Sequence, residues 1–326
     1  MITKRDVLSA AVIVAIGAFA GGLAQAQTYP TKPIKILIPS AAGGPTDVPA
    51  RFAQQFLPPK LGQPVIIENR PGAAGAIGAR AAATSPPDGY TLMIGNTSTL
   101  AVIPAVSASA GYDPVKDFTP IMKVTEGFQI LVVHPDSPFK TVKDVVDYAK
   151  ANPGKLNYAS TGPGGLPHLA AELFMLRTGT KMTNVSYRSG GESNTAVLTK
   201  AVDLTFENIA ILGALVRDGK LRALGVQNKT RTPVMPNVPT MAEVGIPDCE
   251  ANTFFGLVAP AGTPATIVNR LNAAMNEGMQ QPEVQKRINA LGTTATAGTP
   301  AEFAAYIAVQ HKKWLDVGKA AGVRIQ

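Results

Sequence analysis

The chain has 326 residues, a formal net charge of +8 and a single cysteine, Cys249. A chain this long can bury about three-quarters of its surface without disulfides, and one cysteine can form none within the chain. The basic excess is dispersed, with no run longer than Lys312-Lys313 and no aromatic interleaving, which argues against a nucleic-acid surface and leaves a weak pull on anions.

Residues 1–26 read as a secretory signal peptide. Lys4 and Arg5 open it, residues 7–20 are uncharged and largely apolar, and Ala24-Gln25-Ala26 forms a small-x-small cleavage site, so the mature chain starts at Gln27. Gly17, Gly21 and Gly22 dilute the apolar stretch below the ~20 residues that a membrane anchor needs.

Next, Ile34, Ile36, Leu37 and Ile38 form an apolar, β-branched run of buried-strand length. It leads through Gly43-Gly44 into a helix that Thr46 or Asp47 can cap and that Val48, Phe52 and Phe56 continue at helical spacing. A strand–Gly-Gly–helix junction leaves main-chain N–H groups free at the positive end of a helix dipole, which makes an anion site. The competing reading is an ordinary tight connection.

Strand 64–69, a helix from about Ala73 and strand 90–96 follow. Gly72, Gly75 and Gly78 stand three apart and predict a flat helix face for close packing. Strands 119–126 and 128–135 meet near Gly127, and Thr141 with Asp144 caps the next helix. The strand–glycine–helix device then repeats: strand 156–160, the turn TGPGG over 161–165, and the helix Leu166–Thr178 with Leu169, Leu173 and Leu176 on its apolar face. Strands 182–188, 202–208 and 220–228 alternate with helices over 192–200 and 209–218. Strand 254–260 precedes helices opened by Thr263-Pro264 and by Thr299-Pro300-Ala301-Glu302, each with Thr as N-cap and Pro first.

This alternation predicts an α/β fold of mostly parallel sheets. Its size exceeds one compact core. Crossings near Gly127 and Phe255 divide it into a first lobe, 28–126 plus 260–326, and a second lobe, 127–259. Both glycine turns then face a cleft between lobes, and one anion turn in each half suggests a ligand with two negative ends.

Enzymatic signatures are missing. No G-x-x-x-x-G-K-S/T, G-x-G-x-x-G or G-x-S-x-G occurs, and Ser137-Pro138-Phe139-Lys140 matches S-x-x-K without a partner K-T-G. His134, His168 and His311 are scattered, so no transition-metal site or cofactor is expected. Asp47 and Glu192 could do acid–base work, but nothing brings a nucleophile to them. Cys249 reads as structural or surface-lying, and Trp314 as core or surface packing.

YPTKPIKILIPSAAGGPTD, PVIIENRPGAAGAIGA, PPDGYTL, YDPVKDFTPI, LVVHP, NPGKLNYASTGPGGLPHLAAELF, GKLRALGV, VPTMAEVG and FGLVAPAGTP occur in that order. Together they resemble the Bug family, the periplasmic solute receptors of tripartite tricarboxylate transporters, over essentially the whole mature chain. The resemblance implies a type II periplasmic-binding-protein (Venus flytrap) fold that closes by hinge motion. It also implies no catalysis, integral membrane transporter subunits as partners, a monomer, and organic anions as ligands: di- or tricarboxylates, acidic amino acids or aromatic acids. Departures from the family stand at Ser40-Ala41-Ala42, where an aromatic and prolines are usual. Others are Gly162-Pro163-Gly164-Gly165, Tyr187-Arg188-Ser189-Gly190-Gly191-Glu192 and Glu207-Asn208.

The candidate ligand residues are therefore Ser40, Ala41, Ala42, Gly43, Gly44 and Asp47 in the first turn, and Ser160, Thr161, Gly162, Gly164 and His168 in the second. Thr97, Ser98, Gln129 and Asn208 join them at strand ends that the resemblance places at the cleft. Arg188 is either a carboxylate fork or a solvated strand-end side chain. Asp47 orders its loop, binds a bridging water or meets an ammonium group. His168 is a structural residue or a contact. A sensor-associated carboxylate-binding protein shares every one of these residues, and a secreted hydrolase or lyase using a carboxylate pair is the rival from another class.

Overall fold

The computed structural model describes residues 29–324. The signal peptide over 1–26 and the start at Gln27 lie outside them.

In chain order the strands are β1 (Ile34–Ile38), β2 (Val65–Asn69), β3 (Thr91–Asn96), β4 (Phe118–Val133), β5 (Asn157–Ser160), β6 (Thr183–Ser186), β7 (Leu204–Asn208), β8 (Arg222–Val226), β9 (Asn252–Pro260) and β10 (Thr294–Ala295). The helices are α1 (Asp47–Leu61), α2 (Ala76–Ala83), α3 (Ile103–Val106), α4 (Val142–Ala151), α5 (Leu166–Thr178), α6 (Gly190–Leu198), α7 (Ile209–Arg217), α8 (Ala265–Met279), α9 (Pro282–Asn289) and α10 (Pro300–Ala321). A π-helical turn covers Ser98–Val102.

The strands run in the order β2-β1-β3-β9-β4-β7-β5-β6, with β10 and β8 also on β4. β2, β1 and β3 are mutually parallel, as are β6, β5 and β7, while β4 and β9 run antiparallel to their neighbours. Parallel strands direct their carboxyl ends, and the loops that follow, to one edge. Helices cover both faces, so β1 and β7 are buried almost throughout.

The strands expected at 119–126 and 128–135 are one continuous strand. Gly127 does not break β4: it stays paired with Thr253, and a Cβ there would lie 2.9 Å from Thr293. It marks a change of partners instead. β9 and β10 flank β4 up to residue 128, and β7 and β8 flank it from residue 129. One apolar cluster crosses this boundary, joining Leu37, Met93 and Phe118 to Leu131, Phe174 and Phe206 and including Phe254, Phe303 and Trp314. Trp314 is thus core, and Cys249 is buried with Gln227 Nε2 donating to its Sγ.

Both capping boxes form, Thr141 with Asp144 and Thr299 with Glu302. Thr263 does not cap α8: Pro264 takes that position, and the Thr263 hydroxyl donates to the Pro260 carbonyl. Gly72 and Gly75 lie ahead of α2 at positive φ rather than on a helix face. Close packing is nonetheless their use, because a Cβ at Gly75 or Gly78 would lie within 3 Å of Pro39. Val48 and Leu176 are exposed where an apolar face was expected. α5 is instead buried all round over its first turns, so no single stripe defines it.

Candidate functional site

The ends of β1, β3, β5, β6 and β7 carry the predicted residues except Gln129, which was expected at a strand end and lies inside β4 because 118–133 is one strand. After β1, Gly43 adopts φ +82°, open to glycine and strained for other residues, and its N–H donates to Asp47 Oδ2. Asn69 Nδ2 donates to the Ser40 carbonyl at 3.0 Å and to Asp47 Oδ1 at 3.4 Å. Both Asp47 oxygens are therefore committed to the turn, and the carboxylate orders the loop. Thr46 makes no side-chain cap. Ala41 and Ala42 are exposed, and Ser40 Oγ is buried without a partner.

After β5, Ser160 Oγ accepts the Gly162 N–H at 3.2 Å, and Gly165 N–H donates to the Gly162 carbonyl at 3.1 Å. Gly162 and Gly164 adopt φ +94° and +83°. Gly165 has an ordinary φ, and a Cβ there would require the Thr161 hydroxyl to turn away. Among the described residues, the main-chain N–H groups of Gly44, Thr161 and Gly164 meet no acceptor. Each glycine turn thus offers free donors beside a helix start.

The end of β3 reaches both turns, and beside the first of them Asn96 Nδ2 donates to Thr46 Oγ1 at 3.4 Å. Ser98 Oγ accepts the N–H of Leu166, the first residue of α5, at 3.1 Å. Thr97 is occupied structurally: its Oγ1 accepts from Phe254 N–H at 2.8 Å and donates to the Asn252 carbonyl at 3.3 Å. Gln129 and Asn208 stand opposite each other on β4 and β7. They share the sheet face of Leu131 and Phe206, which α5 covers. Asn208 Oδ1 caps α7 by accepting from Ala210 N–H at 2.7 Å, while its Nδ2 and Gln129 Oε1 are buried without partners. His168 is buried, stacks on the Tyr158 ring and reaches Glu172 with Nε2 at 3.4 Å, leaving Nδ1 unpartnered. Arg188 is exposed and its guanidinium meets no acceptor among the described residues.

Sequence reading missed two polar groups. Thr253, opposite Gly127, has a buried and unpartnered Oγ1; its only signal was the polar pair Asn252-Thr253 that opens NTFFGLVAP. Glu207 was noticed as a departure but given no role. It is 4% exposed, faces Gly190 across the sheet from Asn208, and accepts the Asn208 N–H at 2.7 Å. Burial pushes its carboxyl up to about 7 against the opposing pull of that N–H. Two surface hollows of about 320 and 240 Å³ lie elsewhere, and no residue of either turn lines them. No group of acidic, histidine or cysteine side chains among the described residues could hold a metal ion.

A two-lobed α/β binding-protein fold with paired glycine turns defines the class. The tripartite tricarboxylate transporter family receptor pattern matches residues 49–323, and the chain belongs to that family. It is 35% identical over 302 residues to Protein BugT of Bordetella pertussis, covering 92% of this chain and 93% of that one. Among solved structures, R. palustris Rpa4515 with adipate is 32% identical at TM-score 0.85, covering 91% of this chain and 99% of that one. MatC of Rhodopseudomonas palustris with bound malate is 32% identical at TM-score 0.82, covering 89% and 99%.

Proposed function

We propose that the chain is an exported, non-catalytic receptor that binds an organic carboxylate between the glycine turns and delivers it to integral membrane transporter subunits. The observation that carries this reading is the set of buried, unpartnered polar atoms on Ser40, Gln129, His168 and Asn208. Each came from sequence as a candidate contact, and each sits beside free main-chain donors or opposite another member of the set. Leaving such an atom unsatisfied costs ~1–3 kcal/mol, so a polar ligand that satisfies several gains that amount back. Charge-assisted bonds from the turns add ~1.5–3 kcal/mol each.

Related structures holding adipate and malate support a dicarboxylate class. We divide the lobes at 28–126 plus 260–326 and 127–259; the change of partners along β4 supports the crossing near Gly127, whereas β9 pairs with β3 and with β4 up to residue 128 and so favours a return crossing before Asn252. The receptor works as a monomer in the periplasm after cleavage before Gln27. No helix among the described residues is long and apolar enough to cross a membrane.

Native mass spectrometry of freshly purified protein, followed by calorimetry with dicarboxylates, hydroxy acids, acidic amino acids and aromatic acids, tests the reading. One class is expected to bind with micromolar or tighter affinity and to be recovered chemically unchanged. No binding across the panel, or turnover of a bound acid, overturns it. Osmotic-shock fluid from a Gram-negative host is expected to contain protein beginning at Gln27, and membrane-bound material retaining Met1 counts against export.

Arg188 supplies the fork for the second carboxylate. Arg188→Ala is expected to weaken binding by ~1.5–3 kcal/mol in the same calorimetry. Unchanged affinity removes Arg188 from the site.

A further inference from the structure

β4 exchanges partners on both edges within a few residues. On one edge β9 gives way to β8, as the Gln129 N–H donates to the Ala251 carbonyl at 3.0 Å and the Gln129 carbonyl accepts from Gln227 N–H at 2.9 Å. On the other edge β10, paired at Thr125 and Glu126, gives way to β7, paired from Gln129. On that second edge Gly127 and Phe128 pair with neither strand, while β9 holds the first edge through Phe128, so a bend at this point reorients one group of strands relative to the other.

Glu126 stands directly before the exchange and ties three elements together. Its Oε2 accepts from Lys123 Nζ at 2.5 Å, on its own strand. Its Oε1 accepts from Asn252 Nδ2 at 2.9 Å, the first residue of β9, and from Tyr306 Oη at 2.5 Å on α10. Lys123 Nζ lies 4.1 Å from the Tyr306 ring centroid, and the Tyr306 ring meets Phe254 of β9 edge-on at 5.2 Å.

Residues three apart on a regular strand face opposite sides. The register of β4 against β9 slips between Lys123 and Thr125, and this irregularity allows Lys123 and Glu126 to meet on one side. Both side chains are under a quarter exposed. Burial alone would raise the Glu126 carboxyl, but the Lys123, Tyr306 and Asn252 donors outweigh it and hold the group below the usual carboxylate range.

We propose that Glu126 is a positioning residue for ligand binding. Through Lys123, Asn252 and Tyr306 it fixes β4, β9 and α10 to one another on the near side of the partner exchange, which anchors the bend from which the second group of strands departs and so favours the arrangement in which Ser98 reaches Leu166. The inference rests on the receptor reading above. It differs from a plain stability role because a clamp at the bend governs how readily the site opens, and so acts on ligand escape.

The test uses the mature chain and its Glu126→Ala, Glu126→Gln and Tyr306→Phe variants, with malate as the stopped-flow probe and small-angle scattering of the unliganded proteins. Glu126→Ala is expected to raise the malate dissociation rate at least fivefold, with the association rate within about twofold, and to enlarge the unliganded radius of gyration. Tyr306→Phe should show the same pattern more weakly. Glu126→Gln, which keeps acceptors for Tyr306 and Asn252, should recover most of the wild-type rate. Wild-type dissociation and scattering in a folded Glu126→Ala, even at a lower melting temperature, overturn the inference. If Glu126→Ala does not fold, Tyr306→Phe decides by the same readouts. If the wild type does not bind malate, that failure belongs to the receptor reading for this acid, and the scattering comparison still decides the clamp.

Discussion

Gly164→Val is expected to weaken carboxylate binding by more than ~2 kcal/mol, roughly thirtyfold, and Gly43→Val to do nearly as much. Both positions hold positive φ, +83° and +82°, where a β-branched residue is strained. In each turn the strain falls on the segment that presents free N–H groups to the site. Gly44 serves as the internal comparison. Its φ is ordinary, and a Cβ there would lie 3.3 Å from the Ala41 carbonyl, so Gly44→Ala tests steric crowding without dihedral strain. Calorimetry with the acid retained by the wild type, and folding checked by circular dichroism, makes the measurement. Full affinity in both valine variants places the anion elsewhere.

The turns were legible because glycine at positive φ, a buried strand before it and a helix after it each leave a local mark. The capping boxes at Thr141 and Thr299 were legible for the same reason: the partners are three residues apart. Gly127 misled because glycine ordinarily weakens a strand. Here the partners exchange around it while the backbone runs on, and Thr293 packs where a Cβ would stand. That arrangement depends on strands a hundred residues away and leaves no local trace.

Val48 and Leu176 failed as apolar-face residues because periodicity cannot say how far a helix is buried. α5 is covered on every side near its start and emerges only near its end. Position in the two glycine turns nominated Ser40 and His168, and strand ends that the family resemblance places at a cleft nominated Gln129 and Asn208. They did not show that Asp47 is already taken up by its own turn and Thr97 by the backbone of β9.

Glu207→Gln is expected to stabilise the protein at pH 8 and to leave its stability nearly unchanged at pH 4. The folded carboxyl is pushed up to about 7, above its ordinary range. Between its unfolded and folded values, the folded chain holds a proton that the unfolded chain has lost. Stability from this group is therefore fully present below about pH 4.5, falls as pH rises, and is gone above about pH 7. The displacement corresponds to ~3 kcal/mol. For a chain of this size that is roughly 5 °C or more in melting temperature. Glutamine keeps an oxygen for the Asn208 N–H and carries no charge to bury, so it should hold the low-pH stability throughout. Glu126 and Asp113 have lowered values and lend stability that is lost in the opposite direction, on acidification. The informative quantity is therefore the wild-type-minus-variant difference in melting temperature, followed from pH 4 to pH 9. It should open between pH 5 and pH 7.5 and then level off. A difference that stays constant across that range would mean that Glu207 ionises in the folded protein as it does in the unfolded chain, with a counter-charge or solvent reaching it beneath α6.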